Sequence, residues 1–141
     1  MNYLLDTCVI SELVKPIPDQ NAISWLHSTP NESLFLSVIS IGEIRKGITK
    51  LPGSKKKLQL TNWLLSLTED YSSRICPINL AVAENWGNIQ GQAERNGTPL
   101  SSVDSLIAAT AYTYNLIVVT RNEKDFIASN VSVLNPWVHK G

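Results

Sequence analysis

The sequence predicts an α/β protein built around a central, mostly parallel β-sheet. Short apolar segments rich in β-branched residues alternate with longer segments whose apolar residues recur at helical spacing. Such alternation is typical of parallel strands that are joined through helices. The chain has 141 residues, of which 43% are hydrophobic and 17% charged, so we expect a single domain over residues 1–141.

The first elements have clear start and stop signals. Tyr3-Leu4-Leu5 is a short apolar strand that ends at Asp6. A helix follows through residues 9–14, and Pro16 ends it because proline cannot continue a helix. Asp19 is a suitable N-cap for a second helix.

The middle of the chain contains a second strand, two helices and a weaker strand. Residues 34–38 are an apolar run typical of a strand, and a helix beginning at Ser40 is stopped by Pro52-Gly53. Residues 54–69 then have helical spacing. Residues 75–78 are a weak strand prediction, since proline at position 77 restricts them to an edge of the sheet.

The last elements complete the alternation. Residues 80–95 are predicted to be helical, with Asn96-Gly97 as the stop. Ser101 is expected to cap a helix that is apolar on nearly all sides and therefore packs against the sheet. Residues 116–119 are the strongest strand, and residues 131–134 are the last one.

Composition excludes some classes of protein. Twelve basic and twelve acidic residues cancel, so any binding of nucleic acid must depend on local patches. Cys8 and Cys76 lack metal-ligand spacing and are expected to be reduced thiols. Asp6 interrupts the apolar start before a signal peptide can form, and the longest uncharged run is too short to span a membrane. We expect a soluble cytoplasmic protein.

Four acidic residues fall where they can share one edge of the sheet. Asp6 follows the first strand, Glu43 lies early in the helix after the second, Asp104 begins the apolar helix, and Asp125 follows the strongest strand. Strand ends and the starts of the following helices meet at the ligand-binding edge of a parallel sheet. Clustered carboxylates repel one another unless a cation lies among them, and Mg²⁺ or Mn²⁺ suits oxygen ligands.

Each acid also has a structural explanation. Asp6 is a common type of helix cap, and Asp104 stands three residues after Ser101, as in a capping box. Asp125 has the same relation to Asn122, while Glu43 lies beside the apolar face of its helix and is consistent with a solvated side chain. The spacing alone does not decide between these explanations.

The residues around the acids resemble the motifs of the PIN-domain family, in particular the FitB-like branch of the VapC toxins. The opening Leu4-Leu5-Asp6-Thr7 resembles the first motif, and Gly42-Glu43-Ile44-Arg45-Lys46-Gly47 the second, in which a glutamate precedes a glycine by four residues. Asp104-Ser105-Leu106-Ile107-Ala108-Ala109 resembles the third, and Thr120-Arg121-Asn122-Glu123-Lys124-Asp125-Phe126 the fourth. All four motifs occur in order over nearly the whole chain.

This resemblance implies an α/β/α sandwich and a Mg²⁺-dependent endoribonuclease, the toxin of a type II toxin–antitoxin system. Asp6, Glu43 and Asp104 match the acidic core and the metal ligands of the family. The fourth position is either Asp125, which we prefer as a supporting catalytic residue, or Asn122. The implied partners are an RNA substrate, a VapB-like antitoxin and a second copy in a homodimer, with no membrane.

The mechanism that we infer is hydrolysis by a metal-activated water, which leaves 5′-phosphate and 3′-hydroxyl ends. Thr7 and Thr120 are expected to orient acids, contact a phosphate or cap helices. Arg121 and Lys46 are the candidate RNA-binding residues, whereas the lysines at positions 55–57 are more consistent with a solvated helix face.

The acidic pattern leaves two alternative functions. A non-catalytic module of the same fold would use the acidic pocket to hold an arginine of a partner. A phosphatase with an aspartyl nucleophile generally needs a second aspartate two residues after the first, where this chain has Cys8.

Overall fold

The computed structural model describes residues 1–138 and contains all the strands and helices that the sequence predicts. The strands are β1 (Tyr3–Leu5), β2 (Leu34–Ser37), β3 (Ile75–Cys76), β4 (Ile117–Val119) and β5 (Val133–Leu134). The helices are α1 (Thr7–Glu12), α2 (Gln20–Ser28), α3 (Val38–Thr49), α4 (Lys55–Asp70), α5 (Leu80–Arg95) and α6 (Ser102–Tyr114). Two 3₁₀ segments, Asn31–Ser33 and Glu123–Ser129, were not predicted.

The strands form one parallel sheet in the order β3-β2-β1-β4-β5. In the centre of the sheet, Leu4 of β1 pairs with Phe35 of β2 on one side and with Val118 of β4 on the other. The chain runs outward from β1 to β3 and then returns to the other side of β1. The strand order therefore reverses between β1 and β4, where a crevice opens at the carboxyl ends of the strands.

Helices cover both faces of the sheet, which confirms the predicted sandwich. Leu5 and Leu36 face a core formed with α1, α2, α3 and α4, whereas Leu4 and Val118 face a core formed with α6 and Phe126. Adjacent residues of β1 thus point to opposite layers, as the pleat of a strand requires. Helix α5 packs on the outside of α6.

Some predicted boundaries were wrong. Helix α3 begins at Val38 instead of Ser40, because the Ser37 hydroxyl oxygen caps it by accepting a hydrogen bond from the Ile39 N–H group at 3.1 Å. Helix α1 ends at Glu12, earlier than predicted. The predicted stop after α5 is confirmed, since Gly97 has a φ of 75°, which glycine tolerates better than other residues.

The two cysteines and the lengths of the helices agree with what the composition predicts. Cys8 and Cys76 are free thiols, as expected. Among residues 1–138 no helix has the length and apolar character needed to cross a membrane. Helix α4 contributes Leu64 and Leu67 to the core, but it leaves Leu58 exposed on its outer side.

Candidate active site

Asp6 lies in the crevice between β1 and β4 and is almost completely buried. One carboxylate oxygen accepts a hydrogen bond from the Thr7 N–H group at 2.8 Å, which caps α1. The other oxygen accepts from the Thr120 hydroxyl, also at 2.8 Å, and the Cys8 thiol lies 3.8 Å from it. Asp6 is therefore a helix cap, but only one of its oxygens serves that role.

The pKa of Asp6 is raised above its ordinary value. Burial is the main cause, because a low dielectric disfavours the charged form, and the negative charge of Glu43 adds to it. The hydrogen bonds from Thr120, the Thr7 N–H group and Cys8 act in the opposite direction. A cation next to Asp6 would offset both the cost of burying its charge and the repulsion from Glu43.

Glu43 reaches the same region from α3. Its carboxylate accepts a hydrogen bond of 2.6 Å from the Thr7 hydroxyl, and its side chain is half-buried. Thr7 thus contacts both acids. Its side-chain hydroxyl donates to Glu43, and its backbone N–H group donates to Asp6. This contact makes a freely solvated Glu43 the less suitable explanation.

Asp104 enters the cluster from the first turn of α6. Its N–H group donates to the hydroxyl oxygen of Ser101 at 3.1 Å, which confirms Ser101 as the cap. Burial raises the pKa of Asp104, the Ser101 hydroxyl lowers it, and the charges of Asp6, Asp125 and Glu43 raise it further. The four predicted acids are therefore close enough for their charges to interact.

Asp125 and Asn122 lie in the loop and 3₁₀ segment after β4, and both are exposed. The Asp125 N–H group donates to the Asn122 carbonyl at 3.0 Å, but the Asn122 side chain caps nothing, so the capping box predicted here was wrong. The Asn122 N–H group instead donates to the Thr120 hydroxyl oxygen at 3.0 Å. Thr120 consequently connects this loop to Asp6.

A groove of about 630 Å³ runs between Asp104 and Asp125. Lys124 and the apolar residues Leu100 and Ile127 contribute to its walls. The side-chain amide of Gln90 donates to and accepts from the backbone of Leu100 at 2.7 and 3.2 Å, so that this wall is well fixed. Asp104 and Asp125 therefore line this groove, whereas Asp6 and Glu43 do not.

The donor set at the site is compatible with a hard divalent cation. The ligand atoms available from Asp6, Glu43 and Asp104 are all oxygens, as Mg²⁺ prefers. Within the described range 1–138, no three His, Cys, Asp or Glu side chains are spaced to hold an ion directly at once. A Mg²⁺ ion at such a site would take one or two of these carboxylates directly and keep waters in its remaining positions.

The predicted RNA-binding residues are both exposed and lie on different elements. Lys46 is in the last turn of α3, and Arg121 directly follows Thr120. The Arg121 guanidinium lies over the ring of Trp137, with its carbon 5.2 Å from the ring centroid. Lys57 has a structural role, because its ammonium group donates to the Thr49 and Leu51 carbonyls at 3.3 and 3.0 Å.

Sequence reasoning missed two features of the site. The contact of Cys8 with Asp6 and Thr120, at 3.8 and 3.6 Å, depends on β4 being next to β1. The contact of Trp137 with Arg121 depends on the path of the chain after β5. The sequence does not show strand order, so no local signal identifies either contact.

The chain is similar over nearly its whole length to a known protein family and to several of its named members. The family model described as PIN domain matches residues 3–129. The chain is 38% identical to Toxin FitB of Neisseria gonorrhoeae over 95% of its own length and 97% of that protein. It is 33% identical to VapC ribonuclease Y4jK of Sinorhizobium fredii, with coverage of 95% and 96%.

Solved structures agree with the fold. The crystal structure of FitAcB from Neisseria gonorrhoeae matches with a TM-score of 0.92 and 38% identity, covering 97% of this chain and 99% of the other. The structure of VapBC2 from Rickettsia felis, bound to a DNA fragment from its promoter, matches with a TM-score of 0.76 and 26% identity. That match covers 96% of this chain and 98% of the other.

Proposed function

The chain belongs to the PIN-domain family, and we propose that it is a metal-dependent endoribonuclease that acts as the toxin of a type II toxin–antitoxin pair. The observation that carries this proposal is that Thr7 donates hydrogen bonds to both Asp6 and Glu43 at the reversal point of the sheet, where Asp104 stands in the first turn of α6. Relatives over nearly the full length are named as ribonucleases or toxins. The alternative of a non-catalytic binding module has no comparable support.

We assign metal binding to Asp6, Asp104 and Glu43, with Asp125 as a supporting catalytic residue. When bound, Mg²⁺ would activate a water for attack and offset the negative charge on the phosphate. Asp6 and Asp104 would hold the ion directly, and Glu43 would reach it through a bound water. Mn²⁺ has the same preference for oxygen and is expected to substitute.

The neighbouring hydroxyl groups hold two of these acids in place. Thr120 donates to Asp6, and Thr7 donates to Glu43, so one oxygen of each carboxylate is held in a fixed orientation. Asn122, held through its backbone to Thr120, would orient a water at the edge of the site. Attack by water needs no ribose hydroxyl as nucleophile, and cleavage would leave 5′-phosphate and 3′-hydroxyl ends.

RNA is the proposed substrate, and its phosphates would bind to Arg121 and Lys46. Both side chains are exposed. Lys46 lies on α3, which also carries Glu43, and Arg121 lies in the loop after β4. An RNA backbone that crosses the site would therefore pass near both. Each phosphate contact releases counterions, so cleavage at low substrate concentration should weaken with salt. The neutral net charge of the chain makes these local cations important.

The proposed regulatory partner is a VapB-like antitoxin. A small apolar groove of about 210 Å³ begins at Thr7 and Glu43 and continues past Ile44 to Leu60 and Trp63. A peptide lying in this groove would end at the acids and could block them. We further propose a homodimer located in the cytoplasm, where its RNA substrate and antitoxin would be available.

The function is tested by incubating the purified protein with 5′-labelled RNA and Mg²⁺. We expect cleavage that EDTA abolishes and that is lost in Asp6→Asn and Asp104→Asn, while Asp70→Asn serves as a control because Asp70 lies at the far end of α4. Cleavage that persists in EDTA would contradict the metal proposal. Cyclic 2′,3′-phosphate ends would contradict the water nucleophile.

A further inference from the structure

The Arg121 guanidinium contacts an aromatic ring, and no carboxylate of the described residues lies within ion-pair distance of it. Its guanidinium carbon lies 5.2 Å from the centroid of the Trp137 ring, within the range of a cation–π interaction. Over residues 1–138 the one ion pair joins Lys15 to Glu12, at 2.9 Å. The guanidinium N–H groups of Arg121 make no hydrogen bond within that range and remain available to a ligand.

The segment that carries Trp137 is anchored on two sides. The Asn21 amide of α2 donates to the Trp137 carbonyl at 2.9 Å, and the Trp137 N–H group donates to the Asn135 side-chain oxygen, also at 2.9 Å. The Asn135 amide in turn donates to the Glu123 carboxylate at 3.1 Å. The ring is thus fixed relative to both α2 and the loop that contains Arg121.

Arg121 lies beside the acidic site in the chain. It directly follows Thr120, whose hydroxyl donates to the Asp6 carboxylate at 2.8 Å. The Asn122 N–H group, on the other side of Arg121, donates to the same Thr120 oxygen at 3.0 Å and so fixes the backbone around Arg121. A phosphate bound by Arg121 would therefore lie at the mouth of the acidic site.

We propose that Trp137 is a positioning residue, which holds Arg121 at the mouth of the site so that it can bind an RNA phosphate. The inference rests on the proposed ribonuclease function. A carboxylate partner would compete with the phosphate for the guanidinium, whereas an aromatic face restrains the side chain and leaves its donors free. Trp137 thus acts on substrate binding through Arg121 and not on the chemical step.

The test measures kcat and KM on a 5′-labelled random-sequence oligoribonucleotide pool with the full chain and Mg²⁺. We expect Trp137→Leu to raise KM about three- to five-fold with little change in kcat, while Trp137→Phe, which keeps a ring, stays close to wild type. Arg121→Gln should raise KM at least as much. In the Arg121→Gln background, Trp137→Leu should have no further effect, because its target is gone.

A matched control is available at the opposite edge of the sheet. The Arg74 guanidinium lies 4.4 Å from the centroid of the Tyr71 ring, and its side chain donates to the carbonyls of Asn31 and Leu34. Arg74→Gln should lower Tm without raising KM, as expected of a contact that is only structural.

Two outcomes would overturn the inference. One is an unchanged KM in Trp137→Leu. The other is a loss of activity that Trp137→Leu causes equally in the wild-type and the Arg121→Gln backgrounds, which would indicate a structural role. Failure of the proposed function has a different signature, since wild-type protein would then show no cleavage that depends on the metal.

Discussion

The Thr120 hydroxyl donates a hydrogen bond to the Asp6 carboxylate over 2.8 Å, and this contact joins two strands whose ends are 114 residues apart in sequence. Both side chains are buried at the point where the strand order reverses between β1 and β4. The same Thr120 oxygen accepts from the Asn122 N–H group. One hydroxyl therefore orients an acid of the site and fixes the loop beside it.

Replacing Thr120 with valine should affect both stability and the pH dependence of cleavage. The Thr120 hydroxyl favours the ionised form of Asp6, so its loss raises the pKa of Asp6 still further above its ordinary value. The acidic limb of the pH–rate profile should move to higher pH, and the free energy of unfolding should fall by about 1–3 kcal/mol.

Thr110→Val is the matched control for that variant. Thr110 is equally buried, but its hydroxyl donates only to the Leu106 carbonyl within α6. We expect the control to change stability and leave the acidic limb where it is. An unmoved limb in Thr120→Val would show that this hydroxyl does not tune Asp6.

Asp104→Asn should abolish cleavage and, at neutral pH and without added metal, raise Tm. Burial and the carboxylates of Asp6, Asp125 and Glu43 raise the pKa of folded Asp104. The stability linked to this group is fully present below the unfolded pKa of about 4 and is lost as the pH rises through the folded pKa. At neutral pH the charged side chain therefore destabilises the protein, and asparagine removes that charge.

Thermal unfolding of wild type and Asp104→Asn across the acidic and neutral range checks this prediction. The difference in Tm should shrink as the pH falls and Asp104 becomes protonated in both states. Mg²⁺ should raise the Tm of wild type more than that of the variant. A lower Tm of Asp104→Asn at neutral pH would mean that the carboxylate serves the stability of the fold.

The contribution of Glu12 to the stability of the fold should depend on pH in the opposite direction to that of Asp104. Burial raises its pKa, but the Asp19 N–H group at 2.7 Å and the Lys15 ammonium outweigh burial, so that the pKa of Glu12 is lowered. Its contribution to stability is therefore present above the unfolded pKa and is lost as the pH falls through the folded pKa. Glu12 is the last residue of α1, and the charge of Arg121 also helps to lower its pKa.

Glu12→Gln should cost about 1–3 kcal/mol of unfolding free energy at neutral pH, since a charged acceptor is replaced by a neutral one. Urea unfolding at neutral pH and near about pH 4 measures this cost, which should be smaller in acid. The exposed Glu69 provides the comparison variant, Glu69→Gln, with little effect at either pH. A cost that does not depend on pH would show that Glu12 stabilises the fold through packing and not through its charge.

Local patterns in the sequence were sufficient for the elements and for placing the acids at one edge of the sheet, but not for assigning them to one site. Asp6 was identified because it ends an apolar strand, and Asp104 because it lies one turn into a helix capped by Ser101. Each of these positions depends on residues within a few places along the chain. The family resemblance decided in favour of a shared site for these acids, including Glu43, for which helical spacing alone left a solvated position possible.

Contacts between distant segments were not predictable in the same way. The hydrogen bond from Thr7 to Glu43 and the contact of Arg121 with Trp137 require the order of the strands and the path of the loops. The 3₁₀ segment Glu123–Ser129 has no periodic pattern of apolar residues that marks it. Asn122 resembled a cap, but its φ and ψ of −102° and 61° are not those of a typical cap.

Metal binding by the purified protein is the most direct measurement of the central claim, that Asp6, Glu43 and Asp104 serve one divalent ion. Calorimetric titration with Mg²⁺ and Mn²⁺ should show binding to wild type and to the control Asp70→Asn. Binding should be lost or strongly weakened in Asp6→Asn and Asp104→Asn, with a smaller loss in Glu43→Gln. Equal binding by wild type and Asp104→Asn would contradict the assignment of the site.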